Sequence, residues 1–176
     1  PANPLVKNYH YRSHLVDCIY DLIEESPLII DSERLQITNK LLEHQYDLDP
    51  RHTYSAQNGD RHALWHMLCI YTGSHYFSIY YPDPVWQKRL DNVRREFRAF
   101  IKNPTWGARD TLEWVSTSIE PSFAFFLMDG ADEFVKSGTA HSYMKGLEAL
   151  MTGEVIDDYN RFLPLNLLFK AAYLLK

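Results

Sequence analysis

The sequence predicts an all-α fold, a single-domain bundle of seven or eight helices arranged around one buried central helix. Three observations carry that prediction. Apolar residues recur at spacings of three and four along most of the chain. Proline, glycine and Asp/Ser punctuation separates these runs and leaves short connections, except for one longer loop around residues 47–59. Residues 63–71 are apolar nearly all round, the mark of a helix at the centre of a core rather than on its surface.

The first helix is expected over residues 4–25. Leu15, Val16, Cys18, Ile19, Leu22 and Ile23 fall on one side at 100° per residue, and Ser26-Pro27 stops it. Asp31-Ser32 opens a second helix, with Leu35, Ile37, Leu41 and Leu42 as its apolar set. A third starts at Arg61, with Asp60 as its cap. Asp83-Pro84 is the best helix start in the chain, an acidic cap followed by proline at the first helical position. Behind it, Trp86, Leu90, Val93, Phe97, Phe100 and Ile101 form the apolar stripe of a fourth helix, which Asn103-Pro104 ends. A fifth helix is expected over residues 106–119 and a sixth over 122–136, with Gly138 as its stop. A seventh follows Thr139, turning Tyr143, Leu147 and Leu150 inward, and Pro164 splits the last apolar segment. The competing α+β fold would place strands at residues 76–81 and 122–128, whose aromatic and β-branched residues also suit a strand. Two isolated aromatic runs do not make a sheet with its partners.

The chain has 176 residues, 45% hydrophobic and 23% charged, which excludes a disordered chain, a collagen and a coiled-coil rod. Twelve tyrosines and eight histidines give it an aromatic, imidazole-rich character. A net charge of −5 argues against nucleic-acid or anionic-membrane binding, since both need a positive field to displace counterions. Two cysteines, Cys18 and Cys69, each lie inside an apolar helical pattern and read as buried free thiols of a reducing compartment. No run of about 18 apolar residues spans a membrane. The opening Pro-Ala-Asn-Pro-Leu-Val-Lys lacks a signal-peptide plan, so a cytoplasmic location is the expectation.

Four constellations could carry chemistry. His10, His14, Asp17 and Asp21 share one stripe of the first helix and could ligate a divalent transition metal. They also sit at the centre of its polar face, which is expected to look at solvent. His62 and His66, one turn apart with Cys69 beyond, could supply a core metal site between facing helices. The His62-Ala-Leu-Trp-His66 tract is similar to a segment of integral-membrane ceramidase-like hydrolases, but that family needs several membrane-spanning helices, and its activity does not carry over. The zincin signature fails because Ala63 stands where the glutamate base is needed. Third, Lys88, Arg89, Arg94, Arg95, Arg98 and Lys102 set six bases against Asp91 and Glu96 on the fourth helix. Arginines pair with carboxylates bidentately, so this helix could face an acidic protein surface. Fourth, Asp129 and Asp132 could be paired carboxylates after a strand, but no phosphate-cradling loop accompanies them.

The functional expectation is a small protein-interaction domain of adaptor, inhibitor or immunity type, without catalysis and without a cofactor, binding an acidic protein through Arg89, Arg94, Arg95, Arg98 and Lys102. The alternative is a metal-dependent helical-bundle enzyme or sensor, with His62 and His66 as ligands and His10, His14 or Asp17 completing the set.

Overall fold

The computed structural model describes residues 10–48, 61–102, 112–145 and 173. Every regular element among them is helical: α1 (His10–Ile23), α2 (Asp31–Asp47), α3 (Arg61–Tyr80), α4 (Pro84–Lys102), α5 (Leu112–Met128), α6 (Ala131–Lys136) and a seventh helix, α7, over residues 139–145. The multi-helix bundle is therefore the fold, and the strand alternative fails at both places. Residues 76–80 continue α3, and 122–128 complete α5.

Local chemistry sets the boundaries. The Asp83 carboxylate accepts the Val85 N–H at 2.8 Å and caps α4, with Pro84 at the first helical position. Gly138 adopts φ +79° beyond α6, the left-handed stop that glycine tolerates. The break expected between residues 119 and 122 does not occur, although Pro121 stands there. Pro121 forfeits one amide donor, yet α5 runs through it, because Ile119, Phe123, Phe125 and Phe126 around it are all buried. The break falls instead at Gly130, with φ +100°.

α3 is the axis of the bundle. Leu64, Met67, Leu68, Cys69 and Ile70 on it are fully buried, as an all-round apolar helix requires. One cluster packs Leu90, Val93, Phe97 and Phe100 of α4 and the phenylalanines of α5 against α3, with Phe134, Ala140 and Tyr143 closing it. A second gathers Tyr20, Leu41, Tyr76, Phe77 and Trp86 around the last turns of α3. The inward stripe of α4 is the one its sequence predicts, except that the Ile101 side chain lies outside the described residues. The expected caps and core residues at Asp60, Leu147, Leu150 and Pro164 also lie outside them.

α1 reverses its expected orientation. Its polar stripe, with Ser13, His14, Asp17 and Glu24, is buried against α3, while Leu15, Val16, Ile19, Leu22 and Ile23 are exposed, Leu22 by 83%. The reason lies on α3. Trp65, Cys69, Thr72 and Tyr76 recur there at helical spacing and meet α1 with two hydroxyls. Thr72 donates to Asp17 at 2.8 Å and Tyr76 to Glu24 at 2.7 Å. Tyr20 adds a hydroxyl contact of 2.9 Å to Thr38 and donates to the Arg34 carbonyl. Carboxylates matched to buried hydroxyls can face inward without being left unpaired. Contacts ascend together, from His14 on Trp65 to Glu24 on Tyr76, so α1 and α3 run in the same direction.

Candidate functional site

The α1–α3 interface opens into a cleft of about 350 Å³ lined by Asp17, Cys18, Asp21 and Leu22 of α1, Tyr71, Thr72, His75 and Tyr76 of α3, and Met128 at the end of α5. A four-residue step puts Asp17 and Asp21 on one face of α1, a turn apart. Thr72 bonds one oxygen of Asp17, whereas Oδ1 of Asp17 and Oδ1 of Asp21 are buried without hydrogen-bond partners. Burial pushes the Asp17 carboxyl up to about 7, against the pull of the Thr72 bond. The tyrosine hydroxyls are held by other groups: Tyr71 donates to Asp129 and Tyr76 to Glu24. Tyr71 and His75 stack with centroids 5.9 Å apart.

Close approach of α2 supports this arrangement. Gln45, fully buried, lies across Gly73 and donates to the Cys69 carbonyl at 3.2 Å. A Cβ on Gly73 would fall inside the van der Waals envelope of the Gln45 amide.

The residues of the metal reading are distributed unevenly. His14 and Asp17 are buried on α1, His62 is exposed in the first turn of α3, and His66 is half-buried. The His10 side chain lies outside the described residues. Among the described residues, no group of three or more His, Cys, Asp and Glu side chains is placed to hold a metal ion. Burial pushes the Cys69 thiol up to about 12 and raises that of Cys18 as well, so both are protonated at neutral pH.

The basic helix divides in two. Arg89 donates to the Gln45 carbonyl at 2.6 Å and lies over the rings of Trp86 and Tyr46. Arg94 pairs through Nε with Asp129, which also accepts the Tyr71 hydroxyl. Arg98 pairs with Glu133 at 2.8 Å. These three are held by groups from other elements of the bundle. Arg95 and Lys102 are exposed and, with Arg94, Arg98, Asp91 and Ala99, line a shallow groove of about 470 Å³. The paired-aspartate reading separates too: Asp129 is a bracket for α4, and exposed Asp132 pairs with Lys136 at 2.9 Å.

Thr72, Tyr76, Gly73 and Gln45 escaped the sequence reading. The hydroxyls of Thr72 and Tyr76, four residues apart on the central helix, were the available signal, since such groups need partners when buried. Among the described residues, no helix is long and apolar enough to cross a membrane. Comparison with protein-family models, curated proteins and solved structures gives no match to this chain.

Proposed function

We propose that the chain is a non-catalytic protein-interaction domain that takes an acidic segment of a partner protein along the outer face of α4. The groove walled by Arg94, Arg95, Arg98 and Lys102 carries this reading. A guanidinium bound through Nε keeps further N–H donors. Asp129 and Glu133 therefore orient Arg94 and Arg98 before any partner arrives, which lowers the entropy lost on binding. They also cancel part of the positive field, so Arg95 and Lys102 supply most of the uncompensated charge. A cytoplasmic location belongs to the same reading, supported by the free thiols of Cys18 and Cys69.

The test uses a fluorescent peptide of alternating glutamate and alanine, with a lysine/alanine peptide as control. At low salt, Arg95→Glu with Lys102→Glu should weaken the acidic peptide by at least about tenfold, or 1.4 kcal/mol. The difference should shrink once the Debye length falls below ~8 Å. Equal binding of the acidic peptide by the double variant, or equal binding of both peptides by the parent chain, overturns the proposal.

A further inference from the structure

The α1–α3 cleft is separate from the α4 groove and has a chemistry of its own. Two carboxyl groups a helical turn apart line the cleft, each with a buried oxygen that has no hydrogen-bond partner, and no lysine or arginine lines it among the described residues. Asp17 is only 2% exposed, so water cannot compensate its free oxygen as it would on the surface. The rest of the lining is mainly apolar and aromatic, from Leu22, Met128 and the rings of Tyr71 and His75. Its volume of about 350 Å³ lies in the range of small-molecule sites.

We propose that this cleft binds a small organic cation, a protonated amine on an apolar or aromatic body, with the ammonium between Asp17 and Asp21 and the body against Tyr71, His75, Leu22 and Met128. The ammonium would satisfy both unpartnered oxygens and supply the counter-charge that a buried Asp17 carboxylate lacks. Aromatic walls add cation–π attraction, which strengthens where water is excluded. A bare divalent metal is disfavoured as occupant, because the described His, Cys, Asp and Glu side chains form no ligand group of three. Among the described residues, an anion would meet two carboxyl groups and no basic side chain other than His75.

The test is a titration of the purified full chain with 2-phenylethylamine, followed by calorimetry and by the chemical shifts of the Met128 methyl. Two probes of nearly the same shape serve as controls, the neutral 2-phenylethanol and the anionic phenylacetate. Saturable binding of the amine, at least tenfold tighter than the alcohol and with phenylacetate not binding, supports the proposal. Asp17→Asn and Asp21→Asn keep the side-chain shapes and should each weaken the amine at least tenfold while leaving the alcohol unchanged. Asp21 is the less buried of the two, so its variant keeps the test informative if Asp17→Asn perturbs the fold. Equal binding of amine and alcohol, unaltered amine affinity in a folded Asp21→Asn variant, or absence of saturable binding at 10 mM amine (on the order of a 3 kcal/mol interaction) overturns it.

Discussion

Asp17 holds a carboxyl in a place where a carboxylate is poorly solvated, with one oxygen on Thr72 and the other without a partner. Its folded value of about 7 lies above the ordinary value of 3.8, so the native state holds this proton more tightly than the unfolded chain. Between these two values the unfolded chain has already released the proton and the native state has not. Stability contributed by the group is therefore complete below about pH 4 and is lost as pH rises toward 7. Asp17→Asn removes this dependence and keeps an acceptor for Thr72. In urea melts the variant should be more stable than the parent at pH 8, by on the order of 1–3 kcal/mol, with the difference narrowing toward pH 4. An unchanged pH profile would place Asp17 in contact with water. Gly73 gives a steric counterpart. Gly73→Ala must displace the buried Gln45 amide and should cost about 1–3 kcal/mol. Adding Gln45→Ala should recover part of that loss, and a strictly additive double variant would show that the two residues do not touch. Neither effect was legible in the sequence, since a lone glycine in an apolar helix and an aspartate on a polar stripe do not reveal which neighbour covers them.

At the scale of elements, α4 and α1 show when hydropathy patterning succeeds. On α4 the aromatic stripe and the charged face are both strong, and the stripe packs with the apolar side chains of α3 in one cluster, so pattern and packing agree. Phe97 is fully buried and stacks on Phe125 with centroids 4.3 Å apart. Phe97→Ala should cost about 3–5 kcal/mol. On α1 the aliphatic row is equally regular, but the surface it meets carries hydroxyls at Thr72 and Tyr76. Periodicity reports which residues share a face; it does not report which face the neighbour prefers. Leu22→Ala should accordingly change the unfolding free energy in urea melts by less than about 0.5 kcal/mol, the range of ordinary surface substitutions. A loss of about 2–5 kcal/mol, typical of a buried leucine, would restore the conventional orientation of α1. Pro121 teaches a related lesson, because burial of Ile119 before it and of Phe123, Phe125 and Phe126 after it outweighs one missing amide bond. The helices, their order and the centrality of α3 were legible, while the orientation of α1 and the continuity of α5 depended on long-range contacts.

The charge of the whole molecule behaves differently once folded than its sequence suggests. A chain of net charge −5 with six bases on one helix promises a strongly dipolar surface. Folding returns acids to those bases: Asp129 and Glu133, distant in sequence, sit against Arg94 and Arg98 and fasten α4 to the turn after α5 and to α6. The six basic residues of α4 thus divide evenly: Arg89, Arg94 and Arg98 are held by groups of other elements, and Lys88, Arg95 and Lys102 are exposed. Reversal variants separate these roles. Arg98→Glu would bring a third carboxylate beside Asp129 and Glu133, replacing attraction with repulsion at a half-exposed site. It should destabilise the fold by about 1–2 kcal/mol, more than the 0–1 kcal/mol of a single surface pair, because a pair is lost and a like charge is added. Among the described residues, the polar partners of Arg95 are Asn92 and Glu96 on its own helix, so Arg95→Glu should change stability by no more than about 0.5 kcal/mol. The gap between the two variants should close partly in 1 M salt, where the Debye length is about 3 Å. Equal stability of Arg98→Glu and Arg95→Glu at low salt would mean that the bracket does not form and that all the bases of α4 face outward together.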